Sequence, residues 1–356
     1  MQLTGFSKLL IAVAIAALIY FGVVKAKEAG LLPSTEKTEQ VTSGKTESRT
    51  SDGDNKGDGN NKGDGKSSDD NSSKPAKNTK SSGESASSFN FTPAEPVNGT
   101  LKGVVELGAS GFNAFMVRID KDKNWKLEKA EFGSSLVSEG MASGKDVKET
   151  LKNYIGTIAN FGVLPKNIHF VVSSGAVKND KIPDIVKALK QMGYVVNTVD
   201  AAQEGKLALA ATVPSSYFDS AFSVDMGSGN TKISWVGGAD LSSAKSVETH
   251  GAKYFQKGVS ADQVFKDVQA AAAQVPANKR DVCFIVGGAP HDLVEKARQG
   301  KERYTVMKAP TAYSPDGEKQ KAGVNIYKAI AEKTGCTTFV FDWDANFTIG
   351  FLLGLK

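Results

Sequence analysis

The stretch VDMGSGNTKISW, residues 224–235, reads as a strand, a glycine-rich tip and a second strand. Residues 105–116, VELGASGFNAFM, repeat its order: an apolar residue, an acid, an apolar residue, a glycine, small residues and a second apolar run. A tip of Gly, Ser and Asn presents backbone N–H groups with little side-chain obstruction, and successive amides can converge on an anion. The acid before each tip, Glu106 or Asp225, repels a phosphate unless a divalent cation or a water stands between them. Mg²⁺ commonly joins one or two carboxylates to phosphate oxygens in this way. Either hairpin alone reads equally well as an ordinary Gly-rich turn. Two of them at the heads of similar segments point to a phosphate chain gripped across a cleft.

Working outward, strand-forming runs alternate with helical spacings from residue 89 to the last. GVVELG, NAFMVRID, NIHFVVSS, YVVNTVD, AFSVDMG, KISWV, DVCFIVGG and TTFVFD carry the strand pattern. Apolar residues three and four apart predict helices over 145–161, 182–192, 202–213, 261–275, 291–299 and 323–333. The alternation argues for α/β layers, with sheets flanked by helices. It divides the folded part into two subdomains, 99–222 and 223–356, each opened by one hairpin.

The 44 basic and 39 acidic residues give a net charge of +5, spread along the chain rather than gathered on one face. That pattern gives little support to nucleic-acid binding. Cys283 and Cys336 both lie in apolar runs and read as buried thiols. His169, His250 and His291 are far apart, and no G-x-x-x-x-G-K-[ST] loop is present, which disfavours a P-loop NTPase.

The N-terminal part reads differently. Residues 9–24 carry no charge, and Lys8, Lys25 and Lys27 flank them. Residues 6–24 are long enough for a transmembrane anchor, placed here within 1–27. A cleaved signal peptide is the rival, and VVKAKEAG offers it a poor cleavage pattern. Residues 28–98 are mostly Ser, Gly, Asp, Asn, Lys, Thr and Glu, with the repeat NKGDG. An EF-hand loop needs spaced ligands and a terminal Glu, so the repeat reads as disordered tether rather than a calcium site.

The paired hairpins resemble those of the sugar kinase, heat-shock chaperone and actin superfamily. The finer resemblance is to the exopolyphosphatase and guanosine pentaphosphate phosphohydrolase family, over residues 100–356. That family's first motif, D-hydrophobic-G-S-N-S-F, resembles residues 106–112, ELGASGF; its second, D-I-G-G-G-S-T-E, resembles residues 225–232, DMGSGNTK. SSGAVK resembles a phosphate-contacting turn, with Lys178 at the arginine position. QEGKL resembles the helix start that carries the general base, which puts Glu204 in that role. IVGGAPHDLVE, residues 285–295, resembles the glycine turn of the second subdomain, and residues 323–354 the closing helix, strand and helix.

The resemblance implies two actin-like (ribonuclease H-like) subdomains facing a cleft. It also implies hydrolysis of polyphosphate or a guanosine pentaphosphate-like nucleotide with Mg²⁺. Asp225 and Glu106 would hold the metal; Gly108, Ser110, Lys178, Gly227, Ser228, Gly229 and Asn230 would bind phosphate. Three positions depart from the pattern: Glu106 for Asp, Lys178 for Arg, and Lys232 where the family has Glu. The alternative is a non-catalytic scaffold that senses nucleotide or polyphosphate at the membrane. Such ligands are cytoplasmic, so the expected setting is a bacterial inner membrane with the folded part on the cytoplasmic side. Partners other than the ligand, a second copy or a membrane protein, stay open.

Overall fold

The computed structural model describes residues 89–108, 111–132 and 144–355. The expected anchor and most of the expected tether lie outside them, and among the described residues no helix is long and apolar enough to cross a membrane. All the described residues belong to one compact unit, residues 80–356.

Both hairpins form where the sequence puts them, each at the centre of its own sheet. β1 (Thr100–Leu107) pairs antiparallel with β2 (Phe112–Ile119), and β2 with β3 (Trp125–Phe132). On the other side, β1 runs parallel to β4 (Ile168–Val172), and β4 to β5 (Val196–Thr198). In the second sheet β6 (Ala221–Met226) pairs antiparallel with β7 (Asn230–Val236), and β7 with β8 (Ala244–His250). β6 runs parallel to β9 (Val282–Val286), which has β11 (Thr338–Asp342) as its next parallel neighbour. β10 (Tyr304–Val306) adds an antiparallel edge to β11. The orders β3-β2-β1-β4-β5 and β8-β7-β6-β9-β11 are the same topology built twice. This is the mixed α/β arrangement, with two sheets each opened by one hairpin, that the sequence pattern implied.

Burial explains why the central strands read as nearly unbroken apolar runs: both faces of each sheet are covered. Val105 and Leu107 of β1 pack with Leu151 and Ile158 of α1 (Gly144–Asn160) and Ile185 and Leu189 of α2 (Ile182–Gln191). On the opposite face Val104 packs with Ala208 and Ala211 of α3 (Ala201–Thr212) and with Phe347, Ile349 and Leu352. In the second sheet Phe222, Val224 and Ile233 pack with Val264 and Val268 of α4 (Ala261–Ala272). Ile326 and Ile330 of α6 (Gly317–Thr334) join them, and α5 (Gly288–Val294) follows β9. Leu209 of α3 and Val213 just after it pack with Ala221, Val236 and Phe284 of that sheet. One helix, α3, therefore serves both sheets.

Two boundaries move. The last helix, α7 (Phe347–Gly354), falls within the expected second subdomain but packs on the first sheet, against Val104, Phe115 and Val117. Phe89 and Phe91, inside the expected tether, already pack on Tyr217 and Tyr304, with Phe89 also on Phe284. Burial of three aromatic neighbours outweighs the low-complexity composition that precedes them. Arg303 also joins the two sheets: its guanidinium lies 3.8 Å over the Trp125 ring of β3, and Nη2 donates to Asp342 Oδ2 at 2.9 Å and to the Ala211 carbonyl at 3.0 Å.

The α3–α7 crossing depends on close approach. There a Cβ on Gly350 would lie 1.9 Å from the Leu207 carbonyl oxygen, and where α3 meets β8 one on Gly205 would lie 2.0 Å from Ser246 Oγ. Gly350→Ala is expected to lower unfolding free energy by roughly 1–3 kcal/mol, because backbone atoms must separate. Gly156→Ala in α1, where a Cβ meets nothing within 4 Å, is expected to raise it by about 0.5–1 kcal/mol. Urea unfolding of the two variants checks the contrast.

Candidate active site

α3 begins just after β5 ends, and its first turn is fixed by reciprocal capping. Asp200 Oδ1 accepts from the Gln203 amide at 2.7 Å, and Gln203 Oε1 accepts from the Asp200 amide at 3.2 Å. The next residue, Glu204, is only 3 % exposed, so it is not the solvated helical carboxylate that an isolated reading would prefer. Its position in the first turn suits a negative charge. Oε2 accepts from the Ser174 amide at 2.7 Å, in the turn after β4, and Oε1 accepts from Lys232 Nζ.

Lys232 stands in the middle of the hairpin sheet, opposite Asp225 of β6 and Glu248 of β8. Its side chain is 2 % exposed, and Nζ also donates to Asp225 Oδ2 at 3.4 Å. Burial alone would lower the pKa of this ammonium, but the Asp225 and Glu204 carboxylates outweigh burial and hold it above the ordinary lysine value. Burial also pushes Asp225 up, against the pull of Lys232. Lys232 is therefore a permanent cation at neutral pH.

Glu106 completes the floor. Its Oε2 accepts from Asn113 Nδ2 and Asn346 Nδ2, each at 3.1 Å. Asn346 also caps α7 by accepting from the Thr348 amide at 2.8 Å, so the end of the chain reaches back to the first hairpin. Burial, reinforced by the charges of Glu204 and Asp225, pushes Glu106 up to about 7 despite these two amides. The acids that precede the two tips thus share one electrostatic environment with Glu204.

The tips themselves correct one expectation. The Gly108 amide donates to the Gly111 carbonyl at 2.9 Å, and the Gly227 amide to the Asn230 carbonyl at 3.0 Å. Both close their loops and are not directed at a ligand. Ser110 lies outside the described residues. The Gly227 and Ser228 carbonyls accept from the Ala252 and Lys253 amides, which brace the second tip. Asn230 is 8 % exposed, and its Nδ2 donates to Ser174 Oγ at 3.0 Å and Glu248 Oε1 at 2.7 Å.

Gly229 and Asn230 line a cavity of about 600 Å³ together with Ser174, Lys178, Gln203, Glu248 and Lys257, within the range of ligand pockets. Lys178 lies exposed on its rim, where the phosphate-contacting cation was expected. Lys257, not anticipated, donates to the Gly229 carbonyl at 3.2 Å. Glu106, Glu204, Asp225 and Lys232 line neither this cavity, which reaches them only through Ser174, Gln203 and Asn230, nor a larger hollow of about 750 Å³ at the far end of β7 around Gly237 and Lys245.

The donor set does not fit a divalent cation shared by Asp225 and Glu204. A cation reaching both carboxylates would stand within about 4 Å of Nζ, where a double and a single positive charge repel by about 8 kcal/mol at an effective dielectric of ~20. Glu106 has two amides on Oε2, and among the described residues no group of three or more His, Cys, Asp or Glu is placed to hold a metal. The expected metal pair, Asp225 and Glu106, is instead one acid bound to Lys232 and one acid close to protonation at neutral pH.

No family model and no curated protein matches this chain. Solved structures do match. A Ppx/GppA family member from Aquifex aeolicus shares 15 % identity at a TM-score of 0.53, covering 71 % of this chain and 96 % of its own. An exopolyphosphatase from Cytophaga hutchinsonii shares 16 % identity at a TM-score of 0.53, covering 72 % and 99 %. The fold is that of the Ppx/GppA exopolyphosphatases. At these identities the similarity is one of fold, and it extends over nearly the whole of each of those chains.

Sequence reasoning missed Ser174, Glu248, Lys257 and the two asparagines on Glu106. Glu248 lies in AKSVETH, an edge strand whose apolar pattern does not flag it. Because Glu106 holds its proton in the folded chain to about pH 7 and in the unfolded chain only to about 4.3, its favourable contribution is full below about 4.3 and is lost as pH rises through about 7. Glu106→Gln is therefore expected to melt about level with wild type at pH 4 and higher, by roughly 2 °C or more, at pH 8. Thermal melts at the two pH values measure this.

Proposed function

We propose that the cleft binds a polyphosphorylated anion, inorganic polyphosphate or a guanosine pentaphosphate-like nucleotide, and hydrolyses its terminal phosphoanhydride. The observation that carries this reading is the convergence of Glu204 with both hairpin acids beside a cavity rimmed by Lys178 and Lys257. Phosphoryl transfer requires a positioned water, charge neutralisation and a leaving group held in line, more than it requires covalent chemistry from the protein. In this reading Glu204 orients the water. It can do so once a phosphate oxygen takes up the Lys232 donor and releases Oε1. The amides and lysines around Gly229, Asn230, Lys178 and Lys257 hold the remaining phosphates.

One observation favours a second reading. In the structure Glu204 has both oxygens engaged, by Lys232 and by the Ser174 amide, as suits a site that binds without turnover and reports its ligand state by cleft closure. Phosphate release by the full chain from tripolyphosphate and from guanosine pentaphosphate, compared with Glu204→Gln, separates the two. The hydrolase reading expects a loss of about 10²- to 10⁴-fold in the variant. Equal release by both proteins would reject Glu204 as the base, and ligand binding without release by the wild type would establish the second reading.

A further inference from the structure

The fold implies a divalent metal at the bottom of this cleft, and the side chains present there do not fit one. We infer that Lys232 is the resident cation of the cleft, so that the chain takes up a polyphosphorylated anion without a protein-held metal ion. The inference rests on the phosphate reading above and specifies how that anion is neutralised.

Three observations converge on it. The ammonium lies against Asp225 Oδ2, one of the two carboxylates expected to hold a metal, and against Glu204 Oε1, the carboxylate expected to act as base. An ammonium carries three donors; two are placed on these acids, which leaves one for a ligand oxygen. The nitrogen also lies directly under the second tip, since a Cβ on Gly227 would be 3.8 Å from Nζ, and glycine puts no side chain between the loop and the charge. The anchoring is rigid in a way that a rim lysine is not. Lys232 issues from the central hairpin, its stem is enclosed, and a Cβ on Gly205 would come within 3.0 Å of its own Cβ. Lys178 and Lys257 on the rim then supply charge for the outer phosphates, while Lys232 supplies a fixed charge for the inner one.

A permanently bound ammonium and an exchangeable metal differ in one measurable respect: a chelator removes only the second. Titration calorimetry of the full chain with sodium tripolyphosphate, in EDTA and again in excess Mg²⁺, is the test. The inference expects wild-type binding in EDTA, with dissociation constants in the two conditions within about threefold of each other. Lys232→Glu, which restores an acid at this position, is expected to bind at least about tenfold more weakly in EDTA and to recover with Mg²⁺. Lys232→Arg, which keeps the charge, is expected to bind in EDTA and guards against misreading a folding defect. Wild-type binding that disappears in EDTA and returns with Mg²⁺ would overturn the inference and leave the phosphate reading standing. Binding by Lys232→Glu that equals wild type in EDTA would overturn it as well. Absence of tripolyphosphate binding in both conditions would overturn the phosphate reading together with the inference.

Discussion

The rest of the structure depends on one enclosed positive charge. Lys232 Nζ lies between Glu204 and Asp225 with its side chain 2 % exposed, and each of the three would be costly to bury alone. Their mutual attraction is realised only when α3 lies flat on β6, β7 and β8, which fixes the helix against the second sheet. The other carboxylate oxygen of Glu204 takes the Ser174 amide, and this fixes the same helix end against the first. The cleft therefore has a floor of defined geometry because a three-residue charge network requires α3 to be in one place. Arg303, stacked on Trp125 and bound to Asp342 and Ala211, provides a second link between the sheets at the other end of that helix.

Much of this is legible in the sequence. The doubled hairpin gave the doubled sheet because a glycine tip between two apolar runs has few other ways to fold, and because central strands covered on both faces leave long apolar runs. The helices over 145–161, 182–192 and 202–213 were readable from spacing alone, to within a residue or two of their ends. β3 and β8 were not. WKLEKAEF and AKSVETH lie at sheet edges with a single buried residue each, so their composition carries charge that the apolar pattern does not flag. β10 is three residues long and too short to register.

The site was legible in its residues but not in its wiring. Glu204, Asp225 and Glu106 do converge, as the motifs implied. That Asn346 reaches Glu106 across 240 positions of sequence follows from α7 crossing back to the first sheet, and no local pattern encodes that. The spending of the Gly108 and Gly227 amides on their own loops is likewise a matter of turn geometry rather than residue type. The Lys232 departure was visible as a reversed sign; its consequence, an ammonium seated between two acids, needed the register of β6 and β7 to be seen.

The most direct test of the network is a double-mutant cycle in equilibrium unfolding with Lys232→Met, Glu204→Gln and both together. The account predicts that Lys232→Met alone costs about 3–5 kcal/mol, because it strands buried carboxylates. It further predicts that the double variant recovers much of that loss, with a coupling energy of at least about 2 kcal/mol. Costs that simply add, with coupling near zero, would show that Lys232 does not hold α3 in place and would contradict the account.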